Sequence, residues 1–217
     1  MIEDILKKRK QIKVYSKDNV PSKEMIETLL SKAYDCVASK QNLIPYKIHV
    51  LDKSKKEIKN LLYKLSSSTK GGNKNHELQA PYVLVFTKRL VDKPNPETQR
   101  KINLGHDYPL TDPKRYKDYE ADVAIEIGMF AKTLSALCLE KGLDVSYILC
   151  LSNNNDERWN DEKLKFIDDE IMFAMALGYK HTNQDNPFWR DKKHNEYKPE
   201  IKDIINWHWL WFYNMLY

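Results

Sequence analysis

Near the amino terminus, cations and an amide at alternate positions have the means to hold a charged ligand. The string Arg9-Lys10-Gln11-Ile12-Lys13-Val14-Tyr15-Ser16 sets Arg9, Gln11 and Lys13 two residues apart, and in an extended segment such residues share one face. Two cations and a neutral donor on one face suit a phosphate dianion, because charge-assisted N–H bonds to an anion are the strong ones. The same residues also suit the solvated basic end of a surface helix. A second polar group, Ser39-Lys40-Gln41-Asn42-Leu43-Ile44-Pro45-Tyr46, closes on a proline. Asn42 can both donate to and accept from a ring edge that presents both kinds of group. Ser39 and Asn42 serve equally as turn formers in a loop that leads into a strand.

Other chemistries find no support in the spacing. The histidines at 49, 76, 106, 181, 194 and 208 form no HExxH or other ligand set, and Cys36, Cys138 and Cys150 form no CxxC pair. There is no GxGxxG, no phosphate loop ending in Gly-Lys-Ser/Thr and no GxSxG elbow. Cys150 reads as a buried strand cysteine, with nothing nearby to lower its pKa. The net charge of +5 is interleaved with acids instead of gathered in a block. A basic surface of this size suits phosphate-bearing ligands or weak non-specific nucleic-acid contact, and charge alone does not choose between them. With the charges interleaved and no recognition motif, no nucleic-acid partner is expected. No apolar run reaches the roughly 18 residues of a spanning helix, so no membrane contact is expected. The opening Met1-Ile2-Glu3-Asp4 is acidic, unlike a signal peptide. A reducing cytoplasm is the expected location.

The elements that must position these residues follow from periodicity. Residues 2, 5 and 6 make a short helical stripe; Ser22 caps a helix whose buried face carries Ile26, Leu29, Leu30 and Ala33. Tyr46–Val50 alternates as a strand with one wet face. Ser54 and Glu57 form a capping box for a helix bearing Ile58, Leu61, Leu62 and Leu65. Residues 66–75 read as a polar loop. The continuous apolar run Tyr82–Phe86 marks a strand buried on both faces. Residues 88–118, with four prolines and no sustained period, read as a long functional loop or lid. A helix is predicted over Asp122–Lys141, with Gly142 as its left-handed cap. Ala124, Gly128, Ala131 and Ala136 are small enough to let another helix come close. Val145–Leu151 and Ile171–Leu177 read as internal strands, and Trp159–Ile167 as a short helix. No repeat or linker divides the chain, so residues 1–217 form one α+β domain, with the aromatic arm 206–217 (NWHWLWFYNMLY) at its end.

Three regions, in order, resemble the nitroreductase family. Arg9-Lys10-Gln11-Ile12-Lys13-Val14-Tyr15, then Val20-Pro21 and a helix, is similar to the family's Arg-Arg-Ser-Ile-Arg-x-Phe opening. Residues 39–46 are similar to its Ser-x-x-Asn-x-Gln-Pro-Trp turn, with Ile44 for Gln and Tyr46 for Trp. The long helix ending at Gly142-Leu143, a strand, and Ala176-Leu177-Gly178-Tyr179 are similar to its central helix and later Ala-Leu-Gly-Tyr.

The resemblance implies a mostly antiparallel central sheet surrounded by helices in an intertwined homodimer, with flavin sites at the interface. It implies FMN as cofactor, NAD(P)H as hydride donor and a small electron-poor acceptor such as a nitroaromatic, quinone or enone. It also implies cofactor binding by Arg9, Lys10, Gln11, Lys13, Ser39, Asn42 and Arg190. Arg9, Lys13 and Arg190 fall to the phosphate, and Gln11, Ser39 and Asn42 to phosphate, ribityl or ring atoms; no acid–base residue is required. Trp207, Trp209, Leu210 and Trp211 would expose a large apolar area on a monomer and are expected to be covered by the partner subunit. Where the family commonly has Gly-Gly or Glu-Gly near the hydride-accepting nitrogen, this chain has Leu149-Cys150-Leu151-Ser152. Bulky residues obstruct close backbone approach, which leaves a redox-silent flavin- or partner-binding protein on the same fold as the alternative.

Overall fold

A strand that is apolar at every position needs cover on both faces, and the run at Tyr82–Phe86 has it. In the computed structural model, which describes residues 2–7, 9, 11–66, 75–149, 151, 164, 165, 167, 171–181, 200 and 204, this run lies in β2 (Tyr82–Lys88), buried along its whole length. Around it the chain forms α1 (Ile2–Lys7), α2 (Lys23–Cys36), β1 (Tyr46–Leu51), α3 (Lys56–Leu65), α4 (Pro96–Asn103), α5 (Glu120–Glu140), β3 (Asp144–Ile148) and β4 (Ile171–Gly178). Among the described residues four strands run in the order β1-β2-β4-β3, and each of their pairings is antiparallel.

Alternation along the strands divides the core in two. Tyr82, Leu84, Phe86, Val145, Met175 and Leu177 face α2 and α5. Val83, Val85, Ile148, Ala174 and Ala176 face α3 and the segment carrying Ile12 and Tyr15. Phe86 and Phe130 are fully buried and meet edge to face at 6.0 Å; burying side chains of this size contributes roughly 1.5–3 kcal/mol each.

Local chemistry sets several boundaries. The Ser22 hydroxyl accepts from the Met25 amide at 3.1 Å and starts α2. Gly142 takes φ +75 just past α5, a conformation that favours glycine. At Gly178 the reason is space: a Cβ there would meet the Pro81 ring at 2.9 Å and Tyr15 at 3.0 Å. The glycine of the Ala-Leu-Gly-Tyr string thus lets the amino-terminal segment lie against the sheet.

Three expectations need correction. Ser54 does not cap α3. Asp52 accepts from the Ser54 amide at 2.8 Å and from its hydroxyl, a 3-10 turn spans Lys53–Lys55, and α3 begins at Lys56. A carboxylate two residues upstream is the stronger acceptor. Residues 88–118 are not a bare loop either. They contain α4 and 3-10 turns at Pro109–Thr111 and Tyr116–Asp118. The Asn95 side chain accepts from the Thr98 amide at 2.9 Å, Pro96 stands in the first turn, and Glu97 pairs with Arg100 and Lys101. Caps and ion pairs sustain this helix without an apolar stripe. The strand expected to reach Leu151 ends at Ile148. Lys10, most of the helix expected over 159–167, Cys150, Arg190, residues 67–74 and the arm 206–217 lie outside the described residues. No helix among the described residues is long and apolar enough to cross a membrane.

Candidate functional site

Arg9, Gln11 and Lys13 come together along β3, the last strand of the described sheet. The Gln11 amide takes the place of a neighbouring strand: its Nε2 donates to the Tyr147 carbonyl at 2.9 Å, and its Oε1 accepts from the Tyr147 amide at 3.3 Å. One residue on, the Ser146 hydroxyl accepts from the Ile12 amide and donates to the Ile12 carbonyl. Lys13 forms an ion pair with Glu77 at 2.5 Å, and Gln11 also donates to that carboxylate at 3.2 Å. Glu77 is only 1% exposed, so the Lys13 charge is held against a buried anion.

Arg9 is placed differently. Its guanidinium lies 4.2 Å from the centroid of the Tyr147 ring, a cation–π distance, and Nη2 donates to Gln11 at 3.3 Å. Its Nε is buried without a partner among the described residues. A buried, charged donor with an unmet N–H is costly unless something accepts from it. The Tyr147 ring itself is fixed by Phe173 at 5.4 Å and by a hydroxyl contact to Ser135 on α5.

Ser39 and Asn42 belong to a separate group, against the first half of α5. The Ser39 hydroxyl donates to Glu126 at 2.7 Å and accepts from the Ile44 amide, while the Lys40 amide donates to the other Glu126 oxygen at 3.1 Å. Asn42 is exposed at the tip of this turn. Burial pushes the Tyr46 phenol at the end of the turn up to about 12, with Glu126 adding to the effect. The Cys138 thiol, within α5, is likewise pushed up to about 12 by burial. Both groups therefore stay protonated near neutral pH.

The two groups flank one exposed stripe of α5. On one side a cleft of about 320 Å3 is lined by Lys40, Gln41, Tyr108, Tyr119, Glu126 and Met129. On the other a cleft of about 360 Å3 is walled by Tyr147, Phe173, Leu149 and Met172 over Gly128 and Ala131. Both volumes are in the range of small-molecule sites. Between them the stripe leaves Ile125 63% and Met129 42% exposed, and Leu149 at the rim is 70% exposed. No cluster of metal-ligating side chains occurs among the described residues.

Sequence reasoning missed Glu77, Glu126 and Tyr147. Glu126 left a signal, a carboxylate inside the apolar face that Val123, Ile127 and Phe130 define. Glu77 left none, because its partners lie 64 and 66 residues away.

Comparison with known proteins agrees with this architecture. Residues 6–179 match the model of the nitroreductase family. No curated protein matches significantly by sequence. Among solved structures, a nitroreductase family protein from Streptococcus pneumoniae superposes with a TM-score of 0.63 at 19% identity, over 96% of this chain and 100% of its own. A Staphylococcus epidermidis protein assigned as an NAD(P)H:FMN oxidoreductase gives a TM-score of 0.70 at 16% identity, over 96% of each chain. A nitroreductase-like protein from Exiguobacterium sibiricum, crystallised with FMN, gives 0.64 at 16% identity, over 96% of this chain and 97% of its own. With four-fifths of its length matched by the family model and the sheet and helices in the family's arrangement, this chain belongs to the nitroreductase family.

Proposed function

We propose that the chain is an FMN-dependent oxidoreductase that works as a cytoplasmic homodimer. The observation that carries this reading is Arg9: a half-buried side chain whose buried Nε has no partner among the described residues, stacked on Tyr147, a wall of the aromatic cleft. A phosphate group satisfies the unmet donor, and a flat, largely apolar ring suits walls made by Tyr147 and Phe173 over Gly128 and Ala131. In this donor set Arg9 is the principal phosphate ligand, with Lys10 and Arg190 adding charge. Lys13 contributes less, because Glu77 already meets its charge. FMN, when bound, would supply the chemistry of hydride transfer between NAD(P)H and an electron-poor nitroaromatic, quinone or enone. The chain's own part is to hold the cofactor, shield one ring face from water and leave the other open.

The homodimer rests on the α5 stripe. Its two clefts lie on opposite flanks of one exposed row of small and apolar residues. A second copy packed across that row brings its own Ser39–Asn42 turn toward the cleft at Arg9. Ser39 already serves Glu126, so in this reading Asn42 is the turn's contact with the ring or ribityl chain.

The test is a titration of the purified protein with FMN and with riboflavin, which lacks the phosphate. FMN binds more tightly, and Arg9→Ala weakens FMN more than tenfold while changing riboflavin little, since a charge-assisted bond is worth roughly 1.5–3 kcal/mol. A folded protein that binds neither flavin would sink the reading. Leu149, bulky and exposed at the cleft rim, favours one rival, a redox-silent flavin-binding protein. Bound FMN that keeps its absorbance when NAD(P)H is added without oxygen would select that rival.

A further inference from the structure

The turn at residues 39–44 holds a conformation that its sequence does not favour. Gln41, Asn42 and Ile44 have φ of 58, 56 and 47. No glycine is among them, and a β-branched residue such as Ile44 is a genuine outlier at positive φ. Strain of this kind persists only where surrounding structure over-determines it, and it concentrates at ligand-binding elements.

Three side chains from distant parts of the chain supply that structure. Glu126, on α5 and only 6% exposed, spends one carboxylate oxygen on the Ser39 hydroxyl and the other on the Lys40 amide. Asn95 works in two directions: its Oδ1 caps α4 through the Thr98 amide, and its Nδ2 donates to the Gln41 carbonyl at 2.6 Å. Arg89 closes the far end, its amide donating to the Pro45 carbonyl at 2.9 Å and its guanidinium to the Leu43 carbonyl at 3.3 Å.

We infer that Glu126 is a positioning residue which, braced by Asn95 and Arg89, locks the strained 39–44 turn in the shape that presents Asn42 to the flavin. The inference rests on the flavin reading above. α4 thereby gains a purpose: its capping residue is also a brace for the site. Presetting the turn removes an ordering cost that binding would otherwise carry. Because this turn is assigned to the ring and ribityl chain and Arg9 to the phosphate, the two contributions are separable.

Binding of FMN and of riboflavin to wild type, Glu126→Gln and Asn95→Asp tests the assignment. Glu126→Gln keeps the volume but loses the charge and one of the two acceptors. Asn95→Asp keeps the helix cap through the Thr98 amide and replaces the donor to Gln41 with a carboxylate oxygen facing that carbonyl, at a half-buried position where the cap still holds the fold. Glu126→Gln is expected to weaken FMN and riboflavin by the same factor, about tenfold or more for a lost charge-assisted pair. Asn95→Asp is expected to weaken both by a common factor of several fold. The ratio of FMN to riboflavin affinity stays at its wild-type value in each, unlike in Arg9→Ala. Adding Gln41→Gly to Glu126→Gln should recover part of the loss, because glycine holds positive φ without strain. Unchanged affinity in Asn95→Asp and in folded Glu126→Gln overturns the assignment, and so does a loss confined to FMN. A wild-type chain that binds neither flavin overturns the flavin reading itself, and with it the ligand assigned to the turn.

Discussion

Gly128 sits in the interior of α5, exposed, and a Cβ at that position meets no heavy atom within 4 Å of the single chain. Glycine inside a helix costs about 0.8–1.0 kcal/mol relative to alanine. For an isolated chain, Gly128→Ala therefore stabilises the fold by about 1 kcal/mol, close to a fivefold gain in the folding equilibrium. In the proposed homodimer, association carries the opposite sign. Gly128 lies on the stripe between the two clefts, and a methyl group forced into a close helix contact costs roughly 1–3 kcal/mol. The dimer dissociation constant should then rise from about fivefold to more than a hundredfold. Light scattering or sedimentation across a dilution series reads association, and urea unfolding at concentrations where the chain is monomeric reads the fold. The variant is expected to raise the urea midpoint of the monomer while weakening the dimer. An unchanged dimer constant refutes the stripe as the interface, as does a wild-type chain that stays monomeric at every concentration. A lowered monomer midpoint refutes the claim that the position looks onto open space.

Two further outcomes bear on the fold. Gly178→Ala should destabilise by roughly 1–3 kcal/mol, because its Cβ would press on the Pro81 ring at 2.9 Å and on Tyr15 at 3.0 Å; an unchanged urea midpoint would show that these neighbours yield without cost. Burial lowers the Lys59 ammonium from the usual 10.5 to about 8, although it donates to the Ala80 carbonyl at 2.8 Å. Between about pH 8 and 10.5 the unfolded chain then binds more protons than the folded one at this site, so stability rises with pH there, by roughly 3 kcal/mol at most. Unfolding free energies of wild type and Lys59→Met across that range should diverge in this sense, and parallel curves would refute the shift.

What the sequence determined by itself was whatever depends on neighbours a few residues apart. The two-faced burial of Tyr82–Phe86, the Ser22 cap and the positive φ at Gly142 were legible because each is set by local pattern or backbone sterics. The same locality made the family's strings readable, so the α+β architecture and the relation to nitroreductases followed. Polar helix α4 escaped because periodicity looks for an apolar stripe, whereas this helix stands on Asn95, Pro96 and a Glu97 ion pair. Tertiary structure alone decided what the polar residues do. Gln11 and Lys13 looked alike as candidate ligands, yet one pairs with the Tyr147 backbone 136 residues away and the other with buried Glu77. Ser39 was readable as a turn residue, but its tie to Glu126, 87 residues on, was not. The reason is physical: a cation or hydroxyl carries the same pattern whether its partner is water, ligand or a distant carboxylate. Only the packing of β3 and α5 against those segments brings the partner within bonding distance, while the Arg9 Nε is left without one among the described residues.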